Sequence, residues 1–429
     1  MIKQLFTQTL FLIRKQPLLS VLSIGGTALA ICLIMLLVMF RQVRLVPYAP
    51  ESDKDRMLFV QYIKVTNDES NSMMSGSMSL HVARECFGKL TSPQFVSFQI
   101  SHDPMLVSGP DKQLKEMDVR PTDAAFFRIF DFQFIAGRPF NEAEATSGIP
   151  HAVITRSLAR RMYDTEDVVG KSLQINFKEF TLVGVVEDVS ALARFSAAQL
   201  WFPYTAIETD ATNDPNRLMG SVVVVIKAHS VSDFPIIRRE CDSLQALFNS
   251  TIAPQEMDLM GQPDNKEVAI ERYYSNLPPD MKSIRRHRWL VYLILLLVPA
   301  INLSAMTHSR MQQRIEEIAV RRAFGSTRSA IFVQVFAENL IYTLLGTIIG
   351  FLLCLLIGSI WSVSLFSGTD LYFTTTPLLI SPIALFHFST LATEFSLFLL
   401  MILLTTGIPA WKASSTQIAG ALSGKIERS

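Results

Sequence analysis

Hydrophobic positions along this chain fall into two patterns: long unbroken apolar runs, and short apolar runs confined to one internal stretch. Leu18 to Phe40 contains no charged residue. Roughly 20 apolar residues at 1.5 Å per residue cross the hydrocarbon core of a bilayer, so this run predicts a transmembrane helix. Ala28-Leu29-Ala30 has the small-x-small form of a signal-peptide cleavage site, but the apolar run continues ten residues past it. A signal-peptide core is only about 7–15 residues long, so an uncleaved anchor is expected. Further spans are expected at Trp289 to Met306, interrupted by Pro299 and Asn302, at Asn339 to Trp361, and at about Thr390 to Trp411, with Glu394 near its start. The third carries Gly346-x-x-x-Gly350 and Gly358, small residues that let helix backbones approach closely. Gly346 and Gly350 are candidate helix-packing positions.

Lys and Arg set the orientation. Between spans two and three lie Arg310, Arg314, Arg321, Arg322 and Arg328, and after span four lie Lys412, Lys425 and Arg428. The loop from Ser362 to Phe388 has neither residue type. The two basic segments are therefore expected in the cytoplasm and the neutral loop outside, which places both termini inside and the stretch from Val46 to Arg286 outside. Arg41, Arg44, Arg285, Arg286 and Arg288 dissent, but long translocated domains are poorly governed by the rule.

That outer stretch, about 240 residues, is long enough for one sizeable domain or two small ones. His151–Thr155, Phe180–Val186 and Ser221–Ile226 read as strands, and Arg156–Met162 as a short helix. Glu69–Ser79 reads as a loop and Ala253–Lys266 as an irregular segment separating substructures. The expected fold is an integral membrane α-helical protein with four transmembrane helices and a large α+β extracytoplasmic domain inserted between the first and second. The expected divisions are 1–45, 46–286 and 287–429.

Composition agrees with a mixed protein. The chain is 49% hydrophobic and 18% charged, with a mean hydropathy of +0.30. The net charge of +1 carries no nucleic-acid footprint. Of four cysteines, Cys32 and Cys354 lie in apolar runs and read as packing residues, while Cys86 and Cys241 lie in the outer stretch and can pair if it faces an oxidising space.

Signs of catalysis are absent. Gly170-Lys171-Ser172 lacks the earlier glycine of a phosphate loop, Thr165 standing in its place, and reads as a turn leading into a strand. The seven histidines form no metal-ligand spacing, and no G-x-S-x-G elbow occurs. Glu187-Asp188 reads as a solvated turn. No catalytic residue, metal site or resident cofactor is expected.

The segment Arg314 to Arg328 is different. Glu317 and Arg321 stand four apart in the favourable order for a helical ion pair. Ile315, Ile318 and Ala319 supply an apolar face, Gly325 a helix stop, and Ser326 or Thr327 a cap for the next helix. This predicts helix, tight turn, helix at the cytoplasmic face. Anionic lipid could hold such a helix, as could a protein partner.

Glu317-Ile318-Ala319-Val320-Arg321-Arg322-Ala323-Phe324-Gly325-Ser326-Thr327 resembles the E-I-G-I-R-R-A-L-G-A-T signature of MacB/FtsX-type ABC transporter permeases. Gln334 and Glu338 fall where that pattern carries Gln and Glu, and Pro409-Ala410-x-x-Ala413-Ser414 with Ala421-Leu422 is similar to its terminal motif. Ile418 departs from the usual Pro. Phe126-Phe127-x-Ile129-Phe130-x-Phe132, Gly137-Arg138-Pro139-Phe140, Val153-Ile154-x-x-Ser157-Leu158-Ala159-x-Arg161 and Val169-Gly170-Lys171 before Phe180–Val186 resemble the family's periplasmic core domain. The resemblance is to the separate-permease form.

It implies a permease of the bacterial cytoplasmic membrane, working as a homo- or heterodimer with cytosolic ABC ATPase subunits that bind ATP and Mg, and with a periplasmic adaptor in some members. It implies export or extraction by mechanotransmission; the family's alternatives are a cell-division-type scaffold controlling a cell-wall hydrolase, or, outside it, a membrane-anchored receptor. Mapped here, Glu317, Ile318, Arg321, Arg322, Gly325, Ser326 and Arg328 would form the ATPase-coupling elbow within 310–337. Glu338 would either fix the elbow to span three or sit as an interfacial carboxylate.

Overall fold

The computed structural model describes residues 17–47, 49–100, 103–190, 193–207, 217–313, 320, 324–360 and 396. Among these, two compact units separate, one built from Arg44–Met281 and the other from the long helices on either side of it.

In the helical unit, α1 (Pro17–Leu45) contains the first apolar run. Two described helices, Ser20–Arg41 and Phe336–Gly358, are long and apolar enough to cross a membrane. The second predicted run lies within a helix spanning Met281–Gln313, and Pro299 does not end that helix. The predicted fourth run lies outside the described residues apart from residue 396.

The other unit is α+β. Its strands are β1 (Met57–Val60), β2 (Ile63–Asn67), β3 (Ser72–Gly76), β4 (Phe95–Ile100), β5 (Asp103–Ser108), β6 (Lys115–Thr122), β7 (Phe134–Gly137), β8 (His151–Thr155), β9 (Ser172–Ile175), β10 (Lys178–Val186), β11 (Leu200–Pro203), β12 (Val222–Lys227), β13 (Gln255–Asp258) and β14 (Asp264–Asn265). Its longer helices are α2 (Leu80–Phe87), α3 (Arg156–Tyr163) and α4 (Phe234–Ile252). Pairing runs β11-β8-β10-β9-β5-β6 and closes on itself, because β11 also pairs with β6. From β6 the sheet continues through β4, β12, β1 and β14, while β13-β2-β3 form a separate sheet.

Period-two burial explains this arrangement, since alternate residues of a strand point to opposite faces. Within the closed ring, Met117 and Val119, Ala152 and Ile154, Leu173 and Ile175, Phe180 and Leu182, and Leu200 and Phe202 share one apolar cluster. The alternate residues Val153 and Trp201 face a second cluster rich in phenylalanine, including Phe126, Phe130 and Phe140. In the extension, Leu58, Val60, Val224 and Ile226 face α2 and α4, while Met57, Phe59 and Val225 face the phenylalanines.

The three predicted strands and the predicted helix are present as β8, β10, β12 and α3, and Gly170 turns the chain into β9 at φ +86°. Two loop expectations are corrected. Residues 72–76 of the expected loop Glu69–Ser79 form β3, because the Asn67 side chain accepts hydrogen bonds from the amides of Glu69 and Ser70 and turns the chain back onto β2. Ala253–Lys266 does not separate substructures: β13 pairs with β2 and β14 with β1, so this segment joins both sheets.

Candidate coupling site

The last long helix among the described residues, α5 (Arg328–Ile360), follows the helix Met281–Gln313 in the chain. Its start is well defined chemically. The Phe324 amide donates to the Val320 carbonyl at 3.0 Å, Gly325 follows at φ +95°, and the Ala330 amide donates to Thr327 Oγ1 at 3.2 Å. Glycine at positive φ ends one helical turn without Cβ strain, and the threonine caps the next. Of the two expected caps, Thr327 therefore serves; Ser326 is exposed between Gly325 and Thr327. Phe324 is 88% exposed. Arg328 begins α5. Glu317, Ile318, Arg321 and Arg322 lie outside the described residues. Nearly three turns into α5, Glu338 Oε1 accepts from Gln334 Nε2 at 3.3 Å.

Further along α5, a stripe at four-residue spacing is buried: Tyr342, Gly346, Gly350 and Cys354. It faces α1. A Cβ added at Gly346 would lie 2.8 Å from Thr27 Cβ and 3.1 Å from the Ile24 carbonyl oxygen. At Gly350 it would lie 2.5 Å from the Ala28 carbonyl oxygen. Only glycine permits this approach, and a side chain at 350 would meet backbone that cannot rotate aside. Ser20 Oγ and Tyr342 Oη, 3.5 Å apart, extend the seam. Residue numbers rise together on the two helices, Ser20 with Tyr342 and Ala28 with Gly350, so α1 and α5 pack parallel. The partner helix of the two glycines is thus α1.

α1 ends at Leu45, and the α+β unit, which begins at Arg44, holds the chain from there onward. Arg44 Nη1 donates to Tyr273 Oη at 2.8 Å. Glu51 is fully buried; its Oε1 accepts from the amides of Phe195 (2.7 Å) and Ser196 (3.1 Å), and its Oε2 pairs with buried Lys54 at 2.8 Å. The Pro50 carbonyl accepts from the Asp131 amide at 2.8 Å. Lys227 Nζ lies 2.8 Å from Asp53 Oδ2, and its hydrogen bond holds the Asp53 carboxyl below its usual range. Sequence reasoning missed this neck. The amides that meet Glu51 belong to Phe195 and Ser196, far away in sequence.

The other candidates are structural. Glu187 and Asp188 do not simply turn in solvent: Glu187 pairs with Arg156 at 2.7 Å, and Asp188 Oδ1 accepts from the Ser157 amide and hydroxyl, so both hold the start of α3. The parallel pairing of Val186 with Thr155 brings these ends together. Cys32, Cys86, Cys241 and Cys354 are all buried, and all four are free thiols in this structure. Among the described residues no group of three or more His, Cys, Asp or Glu is placed to hold a metal ion.

Residues 20–240, just over half the chain, match the family of the MacB-like periplasmic core domain, and residues 289–418 match the FtsX-like permease C-terminal family. The chain belongs to the MacB/FtsX-type ABC permeases. It is similar to the macrolide export ATP-binding/permease protein MacB of Haemophilus ducreyi, with 23% identity over 74% of this chain and 40% of that protein. It is also similar to the uncharacterized ABC transporter permease YknZ of Bacillus subtilis, with 20% identity over 52% of this chain and 53% of that protein. The chain spans 40% and 53% of the length of these two curated relatives. A solved periplasmic region of MacB from Actinobacillus actinomycetemcomitans aligns over 50% of this chain and 94% of its own, with 16% identity and a TM-score of 0.34. A MacB/FtsX-type permease is a membrane component with an extracytoplasmic domain, and the core-domain match covers most of the α+β unit.

Proposed function

We propose that this chain is the force-receiving subunit of an ABC transporter. A cytosolic ATPase moves the elbow before α5, and that motion reaches the extracytoplasmic domain to drive export or extraction of a substrate. The observation that carries the reading is the glycine seam. α5 starts at the elbow turn and is locked backbone-to-backbone onto α1 at Gly346 and Gly350. α1 in turn runs into the buried Glu51 anchor of the domain. A helix pair packed this closely transmits displacement, because well-packed interfaces shift as units instead of deforming.

The parallel packing supports the arginine-based orientation, in which α1 and α5 both cross from the cytoplasm outward. Four spans, cytoplasmic termini and a dimeric assembly complete the reading. Glu317, Ile318, Arg321, Arg322, Gly325, Ser326 and Arg328 form the elbow, Glu338 anchors it, and nucleotide chemistry belongs to the ATPase.

The test reverses Arg321 and Arg322 to Glu and measures co-purification of the ATPase with the full chain from membranes. The reading expects association to be lost with the permease still inserted. Undiminished association would remove the docking role of these two arginines.

A further inference from the structure

Two cysteines of the extracytoplasmic domain take no part in the coupling path. Cys86 lies in the last turn of α2 and Cys241 two turns into α4. Both are fully buried in one apolar cluster with Phe87, Ile237 and Phe248.

The register of these two helices is pinned on either side of the cysteines. At one end the rings of His81 and Phe248 lie 6.0 Å apart. At the other, the Glu240 carboxylate accepts from the amides of Thr91 (2.7 Å) and Ser92 (3.1 Å) and from both their hydroxyls. Numbers rise along one chain from 81 to 92 as they fall along the other from 248 to 240. α2 and α4 therefore pack antiparallel, with Cys86 and Cys241 between the pins.

Helical rise puts Cys86 about 7.5 Å from His81 and Cys241 about 10.5 Å from Phe248, an axial offset of about 3 Å. Helices packed about 8–10 Å apart, each with a Cα radius of about 2.3 Å, bring facing Cα atoms to roughly 3.5–5.5 Å. Adding the offset gives a separation of about 5–6 Å, inside the roughly 4.4–6.8 Å range of disulfide-bonded pairs. We propose that Cys86 and Cys241 form a disulfide that staples α2 to α4 in the extracytoplasmic space.

The chemistry balances against a thiol–disulfide oxidoreductase of that compartment. The two thiols give up two protons and two electrons, an Sγ–Sγ bond forms through a mixed disulfide, and the oxidant's disulfide becomes a dithiol. Burial pushes both thiols up to about 12, and the neighbouring Cys86 sulfur adds to the rise at Cys241. Thiolate is therefore scarce in the folded domain, and the bond forms while the exported chain is still open. Afterwards the same burial shields it from reductant.

The test isolates membranes without reductant, denatures the full chain after acid quenching, and tags free thiols with a polyethylene-glycol maleimide. In a Cys32→Ser, Cys354→Ser background the proposal expects no tag before reduction and two after it. Single Cys86→Ser or Cys241→Ser changes in that background should each take one tag without reduction. The otherwise unaltered chain should take two tags before reduction and four after, which guards against misfolding of the variants. Peptide mapping should link the segments containing Cys86 and Cys241, and reduction should lower the thermal midpoint by about 10 °C. Two tags on the unreduced double-serine chain, a bond between two chains, or an unchanged midpoint on reduction would each overturn the proposal.

Discussion

Replacing Gly350 with leucine should uncouple the two halves of this protein. An ideal Cβ at that position lies 2.5 Å from the Ala28 carbonyl oxygen and 3.2 Å from its Cα, whereas ordinary contact begins at 3.4 Å. Alanine alone therefore overlaps by about 1 Å, and leucine adds three further carbons to the same space. The obstructing atoms are backbone, so relief requires α1 and α5 to separate. Overpacking of this kind costs about 1–3 kcal/mol. If the seam carries the motion, a loss of that size lowers coupling by about fivefold to about 150-fold, since about 1.4 kcal/mol is a factor of ten. Two readouts check this in a Cys32→Ser, Cys354→Ser background, which keeps Cys86 and Cys241. Crosslinking between Ser20→Cys and Tyr342→Cys reports the seam, and a spin-label distance in the domain reports its response to nucleotide on the ATPase. Both should fall for Gly350→Leu, while ATP hydrolysis continues. Leu352, 57% exposed on the same helix, is the control, and its alanine variant should change neither readout. Normal crosslinking together with normal domain motion in Gly350→Leu would refute the argument.

Three further outcomes follow from the geometry. Glu51→Gln leaves Lys54 as an uncompensated buried charge and should destabilise the domain by about 3–5 kcal/mol in denaturant unfolding of the full chain; a loss under about 1 kcal/mol would mean the anchor is not buried as described. The Glu144 carboxyl, hydrogen-bonded by Arg138 and by the Asn141 amide, is lowered from 4.5 to about 2. Its folded value is depressed, so its contribution is full above about pH 4.5 and fades as the pH falls towards 2. Because Arg138 is half exposed, the contribution is about 1 kcal/mol, and Glu144→Gln should remove that part of the acid limb; an identical acid limb would contradict the assignment. Thr327→Ala removes the cap at the start of α5 and should cost about 1 kcal/mol locally, read as faster hydrogen exchange at the amides of 328–330. Unchanged exchange there would show that Thr327 does not hold the turn.

The parts of this fold that repeat a simple period were legible in the chain. Long apolar runs marked α1 and α5, short apolar runs marked β8 and β10, and a β-branched run marked β12. Gly346 and Gly350 could be read as a close-packing pair, but not their partner, because α1 carries its small residues in Gly25-Gly26-Thr27-Ala28 without a spacing that names α5. β3 was missed because it pairs on one side only and its residues Met73 and Met74 are exposed, so no burial pattern distinguishes it from a loop. β14 is two residues long, too short for any period to register. The Glu51 neck was illegible for a third reason: a buried carboxylate is defined by the amides that meet it, and those belong to residues 195 and 196.

The central claim is that a nucleotide event on a cytosolic partner moves the extracytoplasmic domain of this chain. Its most direct test places a spin label on an exposed domain position such as Phe177 in the complex with the ATPase, and measures the distance between the two copies of the proposed dimer without nucleotide and with the ATPase trapped by ATP and vanadate. The account predicts two distinct distance distributions, which merge when Gly350 is replaced by leucine. Superimposable distributions in the unaltered complex would contradict it.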